Sequence, residues 1–93
     1  MDKINVAVLG LGMEGKRAVK ALIDYGNDVY ASDLNKDIVT TEFNHLDLDI
    51  DLGFHDFEKI DASDAVVLSP SLWNKTISKR LIAEEKRMNF YQY

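Results

Sequence analysis

Three glycines and a lysine in the stretch VLGLGMEGK, residues 8–16, have the spacing to hold a phosphate. Gly10, Gly12 and Gly15 spell G-x-G-x-x-G, the turn of a dinucleotide-binding unit. Gly10, Gly15 and Lys16 also spell G-x-x-x-x-G-K, one letter short of a triphosphate loop. That letter separates the two readings. A triphosphate loop needs Ser or Thr after its lysine because the hydroxyl ligates Mg²⁺. Here the position is Arg17, a cation. In the dinucleotide pattern Gly10 allows the tight turn out of a strand, Gly12 lets backbone approach a phosphate, and Gly15 lets the helix pack close to the sheet. The pattern also asks for an acid about twenty residues on, and Asp33 stands 18 positions past Gly15. A tight strand-to-helix turn that binds nothing is the bland alternative.

Other residues imitate chemistry less well. Asp47, Asp49, Asp51 and Glu58 sit at offsets 1, 3, 5 and 12 of a calcium loop. Such loops need Gly at offset 6, where this chain has Leu52, with Gly53 one place late. The wet face of a strand accounts better for the alternating acids. His45 and His55 each lack a second ligand at metal spacing and read as surface or turn residues. Trp73 follows the turn Ser69-Pro70-Ser71; packing under a loop is favoured over lining a crevice.

These residues need elements to position them. Residues 4–9 (INVAVL) read as a buried strand closed by glycine. From about 12 to 25 the period becomes helical, with Ala18, Val19, Leu22 and Ile23 on one face and Gly26 as the stop. Residues 28–32 (DVYAS) make a second strand, ending at Asp33. Strand, glycine loop, helix and strand in about thirty residues form a βαβ unit. Residues 36–44 read as a turn or two of helix or a loop. In LDLDIDLG, residues 46–53, Leu46, Leu48, Ile50 and Leu52 alternate with acids, which predicts a strand at a sheet edge. A short helical piece over 54–60 leads to residues 65–69 (AVVLS), a continuous apolar run and so a central strand. Asn74 or Thr76 is placed to cap a helix running to about Arg87, with Ile77, Leu81 and Ile82 inward. The closing MNFYQY reads as the start of a fifth strand, which points to a fragment of a longer chain. The expected fold is α/β: a Rossmann-like parallel five-stranded sheet, order 3-2-1-4-5, with helices on both faces.

Composition narrows the partners. With 93 residues the chain makes one small domain, 1–93, and its net charge of −5 argues against a nucleic-acid or anionic-membrane surface. A local phosphate site remains compatible, because backbone amides at a helix start need no net positive protein. The absence of cysteine removes disulfides and thiolate metal sites. No apolar run approaches the ~20 residues of a membrane span, and Met-Asp-Lys leading straight into a strand does not read as a signal peptide. The expectation is a soluble, cytoplasmic domain.

Taken together, VAVLGLGMEGKRAVKALIDYGNDVYASD and LGFHDFEKIDASDAVVLSPS resemble the N-terminal domain of the Mur ligase family, most nearly the UDP-N-acetylmuramoyl-alanine:D-glutamate ligase type. The resemblance covers most of residues 3–72. Its first half would suit many NAD-binding proteins, whereas Gly53-Phe54-His55 followed by DAVVLSP, residues 64–70, is less usual in dehydrogenases. It implies that this domain grips the UDP part of a UDP-sugar-peptide substrate. By position, Gly12, Met13 and Glu14 would lie against the diphosphate in the loop framed by Gly10 and Gly15. Asp33, Leu34 and Asn35 would lie near the uracil, and Ser69, Pro70 and Ser71 would form the opposite lip. The family's chemistry is ATP-dependent amide formation. ATP and Mg²⁺ belong to a central domain, so the remaining ligase domains are the implied partners and this chain alone is expected neither to bind that cofactor nor to catalyse. Two departures stand out: Glu14 where Ser or Thr is common, and Ser71 where glycine is usual. The alternative reading is an NAD(P)-binding domain of a dehydrogenase or a nucleotide-sensing regulator, with Asp33 on the adenosine ribose.

Overall fold

The computed structural model describes residues 3–68 and the backbone of residues 90–92. The element order is β1 (Asn5–Leu9), α1 (Met13–Asp24), β2 (Asp28–Asp33), a 3₁₀ turn (Thr41–Phe43), β3 (Asp49–Leu52), α2 (Phe57–Asp61) and β4 (Ala65–Leu68). These strands form a parallel sheet in the order β3-β2-β1-β4. A short fifth strand, β5 (Phe90–Gln92), runs parallel beside β4, with Val66 opposite Phe90.

The burial pattern explains the order. β1 and β4 are apolar on both faces, as strands covered from both sides must be. Val6 and Val8 join Val29, Ala31, Ala65 and Val67 in a core on one face, closed by Val19 of α1 and by Phe43. Ala7 and Leu9 join Tyr30, Val66 and Leu68 on the other, closed by Ile60 of α2. The four apolar residues assigned to the inner face of α1 all pack against the first core. β3 lies at the edge, where its apolar members face that same core and its acids do not. It is shorter than the alternation suggests, beginning at Asp49, with residues 46–48 outside the ladder.

Glycine ends α1 as expected. Gly26 has φ +89°, and the amides of Gly26 and Asn27 donate to the carbonyls of Ile23 and Leu22, a left-handed helix stop that a side chain would strain. α2 is capped by Asp56, whose carboxylate accepts from the amides of Glu58 and Lys59. It starts three residues later than the sequence pattern suggests. Residues 36–40 form a turn and coil ahead of the 3₁₀ turn. The helix expected after Asn74 or Thr76, and Trp73, lie outside the described residues.

Candidate functional site

The glycine turn sits at the carboxyl end of β1, in the middle of the sheet. Gly10 takes φ +103° and its amide donates to the Ser32 carbonyl at 2.8 Å. Leu11, fully buried, donates its amide to Asp33 Oδ2 at 2.7 Å. The turn is therefore stitched to the end of β2 at two consecutive residues. α1 begins directly after Gly12, which provides no side-chain cap. The amides of Met13, Glu14 and Gly15 consequently have no intrahelical acceptor, and they carry the positive end of the helix dipole.

Gly12 itself needs no special backbone, with φ −69°. A Cβ built there would meet nothing within 4 Å. Among the described residues, neither conformation nor packing asks for glycine at this position. What its missing side chain leaves is open space over the helix start, the cradle that an anion requires. Gly15 is buried against the sheet side of α1, in keeping with close helix packing.

Asp33 holds both the glycine turn and the exit from β2. Its Oδ1 accepts from the Asn35 amide at 2.8 Å, and Asn35 Oδ1 accepts from the Asp37 amide at 3.0 Å, so two successive Asx turns shape the exit from β2. Each carboxylate oxygen keeps a second lone pair for a ligand donor. Around this mouth stand large exposed apolar side chains: Met13 at 71%, Leu34 at 61% and Phe54 at 51% of full accessibility. Ser69, Pro70 and Ser71, expected to form the opposite lip, lie outside the described residues.

Glu14 is exposed on the first turn of α1. Lys16, the nearest candidate partner in sequence, is occupied elsewhere. Its Nζ lies 3.3 Å from Glu42 Oε1, and Lys20 Nζ lies 2.8 Å from Oε2 of the same carboxylate. The hydrogen bond from Lys20, followed by that from Lys16, holds the Glu42 carboxyl below the usual glutamate range. Among the described residues, Arg17 forms no ion pair or hydrogen bond of its side chain.

The fold matches that of a pseudomurein peptide ligase type C from Methanothermus fervidus, with a TM-score of 0.82 and 30% sequence identity. The alignment covers 97% of this chain and 19% of the length of that one. The fold is Mur-ligase-like. No protein-family model matches the chain, and no curated protein matches it.

His55 lies half-buried in the coil between β3 and α2. Its Nδ1 shares a hydrogen bond with the fully buried Ser32 hydroxyl, while Nε2 is buried without a partner. Burial pushes the imidazole below the usual histidine range, with the Asp33 carboxylate acting weakly the other way. The pairing joins residues 23 apart across the α2 face, and no local pattern announces it. His45 is exposed, as expected. The acids of β3 hold a cation of the protein's own: Lys59 Nζ lies 3.1 Å from Asp49 and 3.2 Å from Asp51. Among the described residues no group of three or more His, Asp or Glu is placed to hold a metal ion, and no helix is long and apolar enough to cross a membrane.

Proposed function

We propose that this chain is the nucleotide-binding N-terminal domain of an ATP-dependent Mur-type peptide ligase of cell-wall precursor synthesis, holding the UDP moiety of a UDP-sugar-peptide substrate. The complete sheet of that domain is the five-stranded order 3-2-1-4-5. One observation carries the reading: Gly12 leaves open space over an uncapped helix start, although nothing among the described residues requires glycine there. The diphosphate lies on the amides of Met13, Glu14 and Gly15, inside the turn made by Gly10. The uridine end lies by Asp33, Leu34 and Asn35, and the sugar runs toward Ser69, Pro70 and Ser71.

The similarity to a pseudomurein peptide ligase supports the ligase assignment and makes peptide-bearing UDP precursors the first substrates to test. ATP and Mg²⁺ act in another domain of such a ligase; the one lysine-bearing glycine loop here has Arg17 where the Mg²⁺ hydroxyl would stand. This domain's contribution is to bind and orient. Cytoplasmic location follows from where nucleotide-linked precursors are made.

The test is a titration of the chain with UDP-linked muramoyl peptide and, in parallel, with NADH. Saturable binding of the UDP compound supports the reading. Saturable NADH binding that disappears in Asp33→Ala, without UDP binding, would replace it with the dinucleotide alternative.

A further inference from the structure

His55 is the loose end of a hydrogen-bonded chain that runs along β2. At the other end the Asp51 carboxylate, with Lys59 Nζ at 3.2 Å, can only accept. The Tyr30 hydroxyl therefore donates to Asp51 Oδ2, at 2.9 Å, and its oxygen is left to accept. It takes the Asp56 amide at 3.0 Å and the hydroxyl of Ser32, two residues along β2 and so on the same face. The Ser32 proton is thereby spent, so the bond between Ser32 and His55 Nδ1 is donated by the ring. The chain fixes the tautomer: Nδ1 carries the proton, and Nε2 keeps a bare lone pair, buried and without a partner.

The segment that carries this ring is otherwise lightly held. Gly53 and Phe54 are exposed, and His55 and Asp56 are half-buried. Among the described residues three hydrogen bonds fasten it to β2. The Gly53 amide donates to the Asp33 carbonyl at 2.7 Å, the His55 ring to Ser32, and the Asp56 amide to Tyr30. Of these, only the histidine bond involves a group that titrates near neutral pH. The charged groups around the ring are already engaged. From β2 the Asp33 carboxylate acts on it, but both Asp33 oxygens accept backbone amides. Asp56 caps α2, Asp51 and Lys59 hold each other, and Glu58 and Asp61 of α2 are exposed. β1 and β4, NVAVL and AVVL, bring no titratable group.

We propose that His55 is a pH-operated latch on the carboxyl end of β2: the neutral Nδ1–H ring pins residues 53–56, and protonation at Nε2 releases them. The step takes one proton from water and forms one N–H bond, leaving the ring with a positive charge. That N–H points where no acceptor stands, and a buried donor without a partner is costly, so the imidazolium is stable only when the ring turns out into water. Turning out breaks the bond to Ser32, which keeps its own donation to Tyr30, and the sheet itself stays paired. Phe54, bridged to Asp33, leaves the end of β2 with the released segment. Burial already holds the ring below the ordinary histidine range, with Asp33 acting weakly the other way, so the latch is closed at neutral pH. The device needs no ligand and stands apart from the nucleotide reading.

The experiment is NMR of the ¹⁵N-labelled 93-residue chain between pH 7.5 and 5, on the native protein and on His55→Gln. At pH 7.5 long-range ¹H–¹⁵N correlations of the His55 ring show a protonated Nδ1 and an unprotonated Nε2. As the ring takes up its proton, at a midpoint below about 6.5, the amide peaks of Gly53 and Asp56 shift with that same midpoint. The amides of Val19 and Leu22 in α1 do not. In His55→Gln, whose fold is certified by a native-like spectrum at pH 7.5, Gly53 and Asp56 keep their positions across the range. A ring protonated on Nε2 at pH 7.5 overturns the proposal. So does a ring that titrates while Gly53 and Asp56 stay still, or a shift of those two amides that persists in His55→Gln. The first two results come from the native chain alone, so they decide the matter even where the variant does not fold.

Discussion

The carboxylate of Asp33 accepts the Leu11 amide at 2.7 Å, so the end of β2 holds the glycine turn in place before any ligand arrives. The other oxygen accepts the Asn35 amide at 2.8 Å. One residue thus shapes both walls of the mouth. Asp33→Asn keeps the shape but offers one acceptor oxygen where two are used. Its amide nitrogen would oppose a backbone N–H. The expected cost is about 1–3 kcal/mol of stability from the unsatisfied donor, read as a lower urea midpoint. On the proposed function, binding of UDP is expected to weaken along with it. An Asp33→Asn variant of native stability would show the clamp to be incidental.

On the proposed function, Glu14 trades stability against binding. An acid in the first turn of a helix favours the dipole by about 0.3–1 kcal/mol when exposed. The same carboxylate repels a diphosphate. Glu14→Gln is therefore expected to lower the thermal midpoint slightly and to tighten UDP binding several-fold, roughly 1 kcal/mol at surface dielectric. A variant that binds UDP more weakly would mean that Glu14 contacts the ligand favourably, through a ribose or sugar hydroxyl.

His55 gives the domain a pH dependence of defined sign. Burial holds its folded pKa below the unfolded value of about 6.5. As pH falls below about 6.5 the unfolded chain takes up a proton that the folded chain refuses, so stability declines. The decline stops once pH passes below the folded pKa, where both states are protonated. Glu42, whose carboxyl is lowered chiefly by Lys20, acts only below the ordinary glutamate range, in a separate window. Thermal midpoints measured from pH 7.5 to 5 should fall with pH in the native chain and flatten in His55→Gln. Parallel curves for the two proteins would assign the slope to other groups.

Tyr30 ties β2 to the far side of the sheet. Its hydroxyl donates to Asp51 Oδ2 at 2.9 Å and accepts the Asp56 amide at 3.0 Å, and Lys59 lies 5.2 Å over its ring. Tyr30→Phe keeps the ring and strands the Asp56 amide at the cap of α2. The expected loss is about 1–2 kcal/mol, with amide exchange faster in α2 than in α1. Equal exchange in the two helices would place the damage elsewhere.

Much of this architecture was legible because local and global signals agree. The run from Asn5 to Leu9 is apolar on both faces, and it lies where such a strand must, between two others. Gly10 and Gly26 mark turns that only a positive φ makes. Asp33 was legible as an acid at the end of β2, but not as the clamp on Leu11, since that contact spans 22 residues and depends on the turn already being folded. The Glu42 pairing with Lys16 and Lys20 was hidden for a similar reason: it needs the path of residues 34–43, where no periodicity exists. The start of α2 slipped because Asp56, its cap, sits inside the stretch FHDFEKI, which carries apolar residues on both sides of the cap.

The most direct test of the central claim is a ¹H–¹⁵N titration of the chain with a UDP-linked muramoyl peptide, followed at the amides of Gly12, Met13, Gly15 and Asn35. The account predicts saturable shifts concentrated at those four amides, with the α2 face unmoved. Shifts absent up to millimolar ligand, or confined to residues away from the glycine turn, would contradict it.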